Sequence, residues 1–139
     1  LGVLPTSATR AALRRLRAGE ILQLFPEGEL RPAGPVAALA PGLEFFAAQA
    51  GVPVVPLALR VALRGAERPE ALVVLGSPLP SEAASAAGFR EAINPLLAEL
   101  DAGLRAWPPE AAPPGFAPYL KPAPRFDARA ARLMRWGGR

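Results

Sequence analysis

Histidine and cysteine are both absent from this 139-residue sequence. Without cysteine there is no disulfide, no thiolate nucleophile and no cysteine-ligated zinc, and without histidine there is no imidazole base. Aromatic residues make up only 6% of the chain, so the core must be built mainly from its 21 leucines and a smaller set of valines. A reaction that needs a thiol or an imidazole must take it from outside this sequence.

Lysine is nearly absent, since all but one of the 16 cationic residues are arginine. The net charge of +4 raises the question of an anionic partner such as nucleic acid or a membrane. Ala, Arg, Pro and Gly fill over half the chain, however, and all four have GC-rich codons, which explains much of the arginine excess. With two Trp, one Tyr and no recognition motif, we expect no nucleic-acid partner.

No stretch of the sequence has the pattern of a membrane span or a signal peptide. The longest uncharged apolar run, residues 45–59, is interrupted by Gln49, Gly51, Pro53 and Pro56, and a span needs roughly 20 mostly apolar residues. The start lacks a cationic region followed by an apolar block. Because the first residue is Leu rather than Met, we expect a processed chain or one whose N-terminal part lies upstream.

Alternating apolar runs and helical patterns predict an α/β fold. Helices are expected at residues 9–18 and at 42–50, the second with Leu43, Phe46 and Ala47 facing inward. A further helical region follows Ser81, where apolar residues recur at 89, 93, 96, 97, 100 and 104. Within that last region, Pro95 should kink the helix or begin a new one capped by Asn94. Strands are expected at 21–25, 52–63 and 71–75. Because these strands are continuously apolar, they favour a mixed, largely parallel sheet flanked by helices.

The predicted organisation is an α/β domain at residues 1–106, followed by a segment of different character. Seven prolines lie between residues 108 and 124, so residues 107–125 should run extended over the surface. Residues 126–139 form a basic tail that suits a short helix. The tail is compatible either with a membrane contact or with packing on its own domain.

The stretch most informative about chemistry is residues 24–34, Leu-Phe-Pro-Glu-Gly-Glu-Leu-Arg-Pro-Ala-Gly. It follows a predicted strand, and ligands of open α/β sheets bind where strands end. Gly28 permits a positive φ or a close backbone approach, and Arg31 offers a forked donor for phosphate or carboxylate. By spacing alone, an ordinary Pro/Gly turn with solvated charges is the better explanation of this stretch, because such turns are common.

Over residues 2–59 the sequence resembles the glycerophospholipid acyltransferases, the lysophosphatidate acyltransferase family. Residues 2–5 resemble the second sequence block of that family, and residues 25–28 resemble its third block. Residues 16–20 resemble the stretch that precedes the strand before the third block. The features that follow in the expected order are Phe25, Pro26, Glu27, Gly28, Gly34, Gly42, Val52, Pro53 and Pro56.

The resemblance implies a glycerolphosphate-acyltransferase-like fold and an O-acyltransferase active in phospholipid biosynthesis. Its substrates would be an acyl thioester, acyl-CoA or acyl carrier protein, and a lysophospholipid or glycerol phosphate-type acceptor, with no other cofactor and no metal. Such an enzyme is expected to be cytoplasmic and peripheral at the inner face of the membrane. The alternative is a catalytically inactive lipid- or membrane-binding module on the same fold.

The resemblance assigns site residues by position, with departures from the family pattern. Glu27 and Gly28 match the third block, and the phosphate-binding role of the family's arginines falls to Arg31 and Arg10, both displaced from the usual places. Glu27 would fix Arg31 or the loop backbone, or accept a glycerol hydroxyl. The family's first block, His-x-x-x-x-Asp, is missing, so the general base and its orienting Asp are expected upstream of Leu1.

Overall fold

The computed structural model describes residues 6–64, 69–109 and 111–120. Along the chain the elements are the helices and strands α1 (Thr6–Arg17), α2 (Gly42–Ala50), β1 (Leu57–Ala62), β2 (Glu70–Leu75) and α3 (Ala86–Ala106), with one 3-10 turn at Ser81–Ala83 before α3. The protein is therefore α/β in content, as the sequence predicts.

The first two helices confirm their sequence predictions. After α1, Gly19 has φ +85° and donates its N–H to the carbonyl of Leu16, while the N–H of Glu20 reaches the carbonyl of Arg15. This paired bonding is the usual glycine-dependent end of a helix. Helix α2 buries Leu43, Phe46 and Ala47, the three residues predicted to face inward.

Helix α3 is continuous through Pro95, which excludes one of the two predicted effects of this proline, a new helix capped by Asn94. Ser85 caps its start by accepting the N–H of Gly88, and the predicted apolar face is buried or half-buried. Asn94 begins no second helix, because it lies within α3 and its side chain binds the backbone of Val36 instead. The side-chain amide of Asn94, which the local sequence suggests as a helix cap, is used in a tertiary contact instead.

The sheet also corrects a prediction, since the described residues contain two antiparallel strands and not a largely parallel sheet. Leu57 pairs with Leu75 and Ala62 with Glu70. The connection between β1 and β2 is short, and parallel neighbours would require a crossover of a dozen or more residues. Continuous apolar runs predict strands buried on both faces, whereas the described residues leave one face of this pair exposed.

Residues 21–25, predicted as a buried strand, have no regular structure here. Ile21 is 97% exposed and Phe25 is 77% exposed. Apolar character favours a strand only where a neighbouring strand supplies backbone partners, and none of the described strands pairs with this stretch. The prediction of a strand at 21–25 is wrong for the described structure.

The two faces of the hairpin differ in what covers them. Ala58 and Leu72 face α3 and join the buried core with Phe89, Ile93 and Leu97. The opposite face carries side chains that are each at least 40% exposed: Leu57, Leu59, Val61, Val73 and Leu75. The register places Leu57 opposite Leu75 and Leu59 opposite Val73, so this open face is one continuous apolar surface.

The proline-rich segment returns to the hairpin after α3. Buried Arg64 donates hydrogen bonds to the carbonyls of Pro108 and Ala111, at 2.7 and 3.2 Å. Trp107 meets Phe116 edge-on, with ring centroids 5.5 Å apart. These contacts hold residues 107–109 and 111–116 on the domain. The predicted tail at 126–139 and the end of the proline-rich segment lie outside the described residues, and the boundary at 106 stays a prediction.

Candidate functional site

The Phe25-Pro26-Glu27-Gly28 sequence forms a tight turn. The N–H of Gly28 donates to the carbonyl of Phe25 at 3.1 Å, and Gly28 has φ +71°, a conformation that costs other residues about 1–2 kcal/mol. Pro26 supplies the fixed φ that suits the second position of such a turn. Glu27 is half-buried, and Gly28 is exposed. The turn therefore presents the backbone at Gly28 to solvent.

Arg31 lies three residues beyond the turn, and its guanidinium pairs with the carboxylate of Glu29. Both side chains are substantially exposed, at 40% for Arg31 and 61% for Glu29. An exposed pair of this kind contributes roughly 0–1 kcal/mol to stability. A phosphate can therefore replace the carboxylate of Glu29 on Arg31 at low cost.

The rest of this loop is held by hydrogen bonds from side chains on α3 and by a bond between its own two ends. We call residues 26–40 the motif loop. Its two ends meet where the N–H of Ala40 donates to the carbonyl of Pro26 at 2.7 Å. Asn94 on α3 accepts the N–H of Val36 at 2.8 Å and donates to the carbonyl of Val36 at 3.2 Å, while Arg90 donates to the carbonyl of Ala37 at 2.8 Å. The motif loop thus has a bound base and an exposed tip.

A charged pair, Arg60 and Asp101, binds the motif loop at Gly34. Arg60 binds Asp101 through two hydrogen bonds, at 2.6 and 2.9 Å, and donates to the carbonyl of Gly34 at 3.3 Å. The hydrogen bond to Asp101 raises the pKa of Arg60, helped by the negative charges of Asp101 and Glu27. The same bond lowers the pKa of Asp101. The charge of Glu27 therefore acts on Arg60, whereas Arg31 takes Glu29 as its partner.

The remaining sequence-predicted residues lie around this loop. Arg10 is exposed on α1, which is fastened to α2 by a hydrogen bond from Arg17 to the carbonyl of Gln49. Gly42 begins α2, and Val52 and Pro53 follow that helix. Pro56 is fully buried, and its carbonyl accepts the N–H of Gly76 at 2.8 Å. The structure brings Glu27, Gly28 and Arg31 together in one loop and leaves Arg10 on a separate helix.

Four residues that support the site were not predicted as site residues from sequence: Arg60, Arg90, Asn94 and Asp101. One signal was available for Arg60, because a lone arginine in the apolar run 52–63 is expected to have a specific partner. Nothing in the pattern of α3 distinguishes Asp101 from its other charged residues. Pairing across 41 or 58 residues of sequence is visible only in the tertiary structure.

The described residues contain no group of three or more potential metal ligands and no helix long and apolar enough to cross a bilayer. The arrangement can bind an anion at the exposed guanidinium of Arg31 and hold a ligand against the turn backbone. It supplies no imidazole for proton transfer, since the sequence contains no histidine.

Comparison with known families identifies the segment that contains this loop. Residues 5–60 match the family model described as Acyltransferase, which confirms the resemblance over that part of the chain. The match spans α1, the motif loop, α2 and most of β1. No curated protein and no solved structure matches the chain.

Proposed function

Since residues 5–60 carry the acyltransferase match, we propose that the intact protein is an O-acyltransferase of phospholipid biosynthesis. It moves a fatty acyl group from acyl-CoA or acyl carrier protein to the hydroxyl of a lysophospholipid or glycerol phosphate-type acceptor. The observation that carries this proposal is the Phe25–Gly28 turn, which lies inside the matched segment and precedes an exposed guanidinium at Arg31.

Arg31 binds the acceptor phosphate in this proposal. Its fork geometry matches phosphate oxygens, and its present partner Glu29 is exposed and easily displaced. Arg10 adds positive charge from α1. The negative charge of Glu27 repels phosphate, so we assign this residue no contact with the acceptor phosphate. Its role is electrostatic, because its charge acts on Arg60, which binds the motif loop at Gly34. Held in this way, the acceptor presents its hydroxyl in a fixed position, which is worth roughly 7–11 kcal/mol of barrier at best.

The reaction itself is a thioester-to-ester exchange. The acceptor oxygen attacks the thioester carbonyl carbon, the carbon–sulfur bond breaks, and the hydroxyl proton passes through a base to the leaving thiolate. No residue of this chain is an imidazole base, so we place the base outside it, in a His-x-x-x-x-Asp block upstream of Leu1. Donors for the oxyanion are needed as well. The proposal requires no cofactor besides the acyl donor.

The proposed location is cytoplasmic and peripheral, at the inner face of the membrane. A lipid acceptor is presented at that surface, and the net charge of +4 favours contact with anionic headgroups. The alternative function, an inactive lipid- or membrane-binding module, is favoured by one observation: the sequence contains no histidine.

The decisive experiment uses the intact protein encoded by the whole reading frame. Purified protein is supplied with acyl-CoA or acyl carrier protein thioester and with glycerol 3-phosphate, lysophosphatidate or a neutral monoacylglycerol. We expect ester formation with a phosphate-bearing acceptor by the intact protein and none by the 139-residue chain. Lipid binding without turnover by the intact protein would instead support the inactive module, and acylation by the 139-residue chain would contradict a base outside it.

A further inference from the structure

We propose that Asn94 is a positioning residue for acceptor binding, because its side-chain amide holds the base of the motif loop through both backbone groups of Val36. This inference rests on the proposed function and deepens it. The residue lies on α3, outside the family match at residues 5–60.

The first step in the argument is the double hydrogen bond. Oδ1 of Asn94 accepts the N–H of Val36 at 2.8 Å, and Nδ2 donates to the carbonyl of Val36 at 3.2 Å. One amide thus satisfies both backbone polar groups of Val36, a residue that is only 8% exposed. A buried backbone group without a partner costs about 1–3 kcal/mol, so this pairing strongly fixes Val36.

The second step connects Val36 to the turn. From Val36 the chain runs four residues to Ala40, whose N–H donates to the carbonyl of Pro26 at 2.7 Å. Pro26 is the second residue of the Phe25–Gly28 turn. A displacement of Val36 therefore moves Ala40 through the four residues of chain that join them. Ala40 then moves the turn through its hydrogen bond to Pro26.

The third step is the contrast between the two parts of the motif loop. Residues 28–33 are exposed and contain Arg31, whereas residues 34–37 receive hydrogen bonds from Arg60, Arg90 and Asn94. Among the described residues, this tip is held by the Glu29–Arg31 pair and by the hydrogen bond within the turn from Gly28 to Phe25. Its position depends on the anchored half, and a misplacement of about 1 Å can cost a hundredfold in rate.

The test uses the intact protein with three variants. Asn94→Ala removes both hydrogen bonds. Asn94→Asp is nearly isosteric, keeps the acceptor for the N–H of Val36 and sets a second acceptor against the carbonyl. Glu91→Ala, an exposed position on the same helix, is the control. For each we measure kcat, the KM of acceptor and donor, the melting temperature, and amide hydrogen exchange at Gly28 and Ala40 by NMR.

We expect Asn94→Ala and Asn94→Asp to raise the acceptor KM about tenfold, within the hundredfold range that misplacement allows, while the donor KM stays unchanged. Exchange at Ala40 and Gly28 should accelerate in both, and Glu91→Ala should match the wild type. If Asn94→Ala does not fold, Arg90→Ala, which loses only the bond to Ala37, is expected to give a smaller rise in acceptor KM.

Two outcomes would overturn the inference in different ways. A wild-type protein that transfers no acyl group overturns the proposed function and any role of Asn94 in it. An active wild type whose Asn94 variants lose kcat in proportion to the unfolded fraction, with unchanged acceptor KM, shows that Asn94 only stabilises the fold.

Discussion

Arg60 on β1 and Asp101 on α3 are joined by a forked pair of hydrogen bonds, Nε to Oδ1 at 2.6 Å and Nη2 to Oδ2 at 2.9 Å. The same Nη2 reaches the carbonyl of Gly34. Both side chains are mostly removed from solvent, at 16% and 27% exposure, so this pair is stronger than an exposed one. It joins the hairpin, the last helix and the motif loop into one unit.

The Arg60–Asp101 pair predicts a loss of stability in acid. The pKa of Asp101 is lowered in the folded protein, first by the hydrogen bond from Arg60 and then by nearby positive charge. The pair's contribution is therefore full above the unfolded carboxyl pKa of about 3.9 and is lost as pH falls through the lower folded value. Asp101→Asn should cost about 1–3 kcal/mol of unfolding free energy at pH 7 and progressively less below about pH 4.

Urea unfolding between pH 7 and pH 2.5 measures this difference. Glu99→Gln removes an exposed carboxylate from the same helix and is the matched control, expected to change the unfolding free energy little. A difference between wild type and Asp101→Asn that stays constant over the whole pH range would contradict the assignment.

Arg31→Ala is expected to separate phosphate-bearing from neutral acceptors. Loss of a charge-assisted hydrogen bond costs about 1.5–3 kcal/mol, so KM for the phosphate-bearing acceptor should rise about ten- to hundredfold, with much less change for a neutral one. Steady-state kinetics of the intact protein measures both. Glu29→Ala is the control, because it frees Arg31 of its partner without removing the guanidinium, and its KM for phosphate-bearing acceptors should not rise. Equal losses with both acceptors would remove phosphate recognition from Arg31.

Gly28→Ala should impair every acceptor, whether or not it carries phosphate. Among the described residues, a Cβ at Gly28 would meet the Cβ of Ala40 at an ordinary 3.6 Å, so the cost comes from the φ of +71° and not from a clash. The strain of about 1–2 kcal/mol falls on the turn itself. Kinetics with both acceptors should show parallel losses, and a selective loss for one of them would argue against a general role of the turn.

Gly103→Ala should destabilise the protein although alanine favours helix by about 1 kcal/mol. A Cβ at Gly103 would overlap the indole of Trp107, which packs on the core and against Phe116. Such overpacking costs about 1–3 kcal/mol. Thermal and urea unfolding measure the change, and a double-mutant cycle with Trp107→Leu should recover most of it. A stabilising Gly103→Ala would show that Trp107 does not pack there in solution.

The open hairpin face predicts that the 139-residue chain binds an apolar dye such as ANS. Leu57→Thr with Leu75→Thr removes one directly opposed apolar pair and should lower dye fluorescence while far-ultraviolet circular dichroism is retained. Leu30→Thr, at a fully exposed position outside the hairpin, is the control. Unchanged fluorescence in the double variant would mean that the face is covered in solution.

Local sequence patterns were enough to predict the helices. Residues 42–50 have the apolar spacing and flanking glycines of a helix, and α2 follows them with the predicted inward residues. The Phe25–Gly28 turn was likewise predictable, because proline and glycine restrict φ locally. The match to an acyltransferase model over residues 5–60 was predictable too, because it depends on sequence blocks that follow one another in order. These features depend on neighbouring residues and need no knowledge of distant ones.

Pairing between distant segments was decided by the tertiary structure. Both residues 21–25 and residues 57–62 are apolar runs, yet within the described part of the chain only the second run has a strand partner. The short connection between β1 and β2 made that pair antiparallel. Asn94 looked like a helix cap and became the partner of Val36, 58 residues away. Backbone hydrogen bonds and buried charges are satisfied by whatever the fold brings near, so the sequence determined which groups need partners and the tertiary structure decided which partners they have.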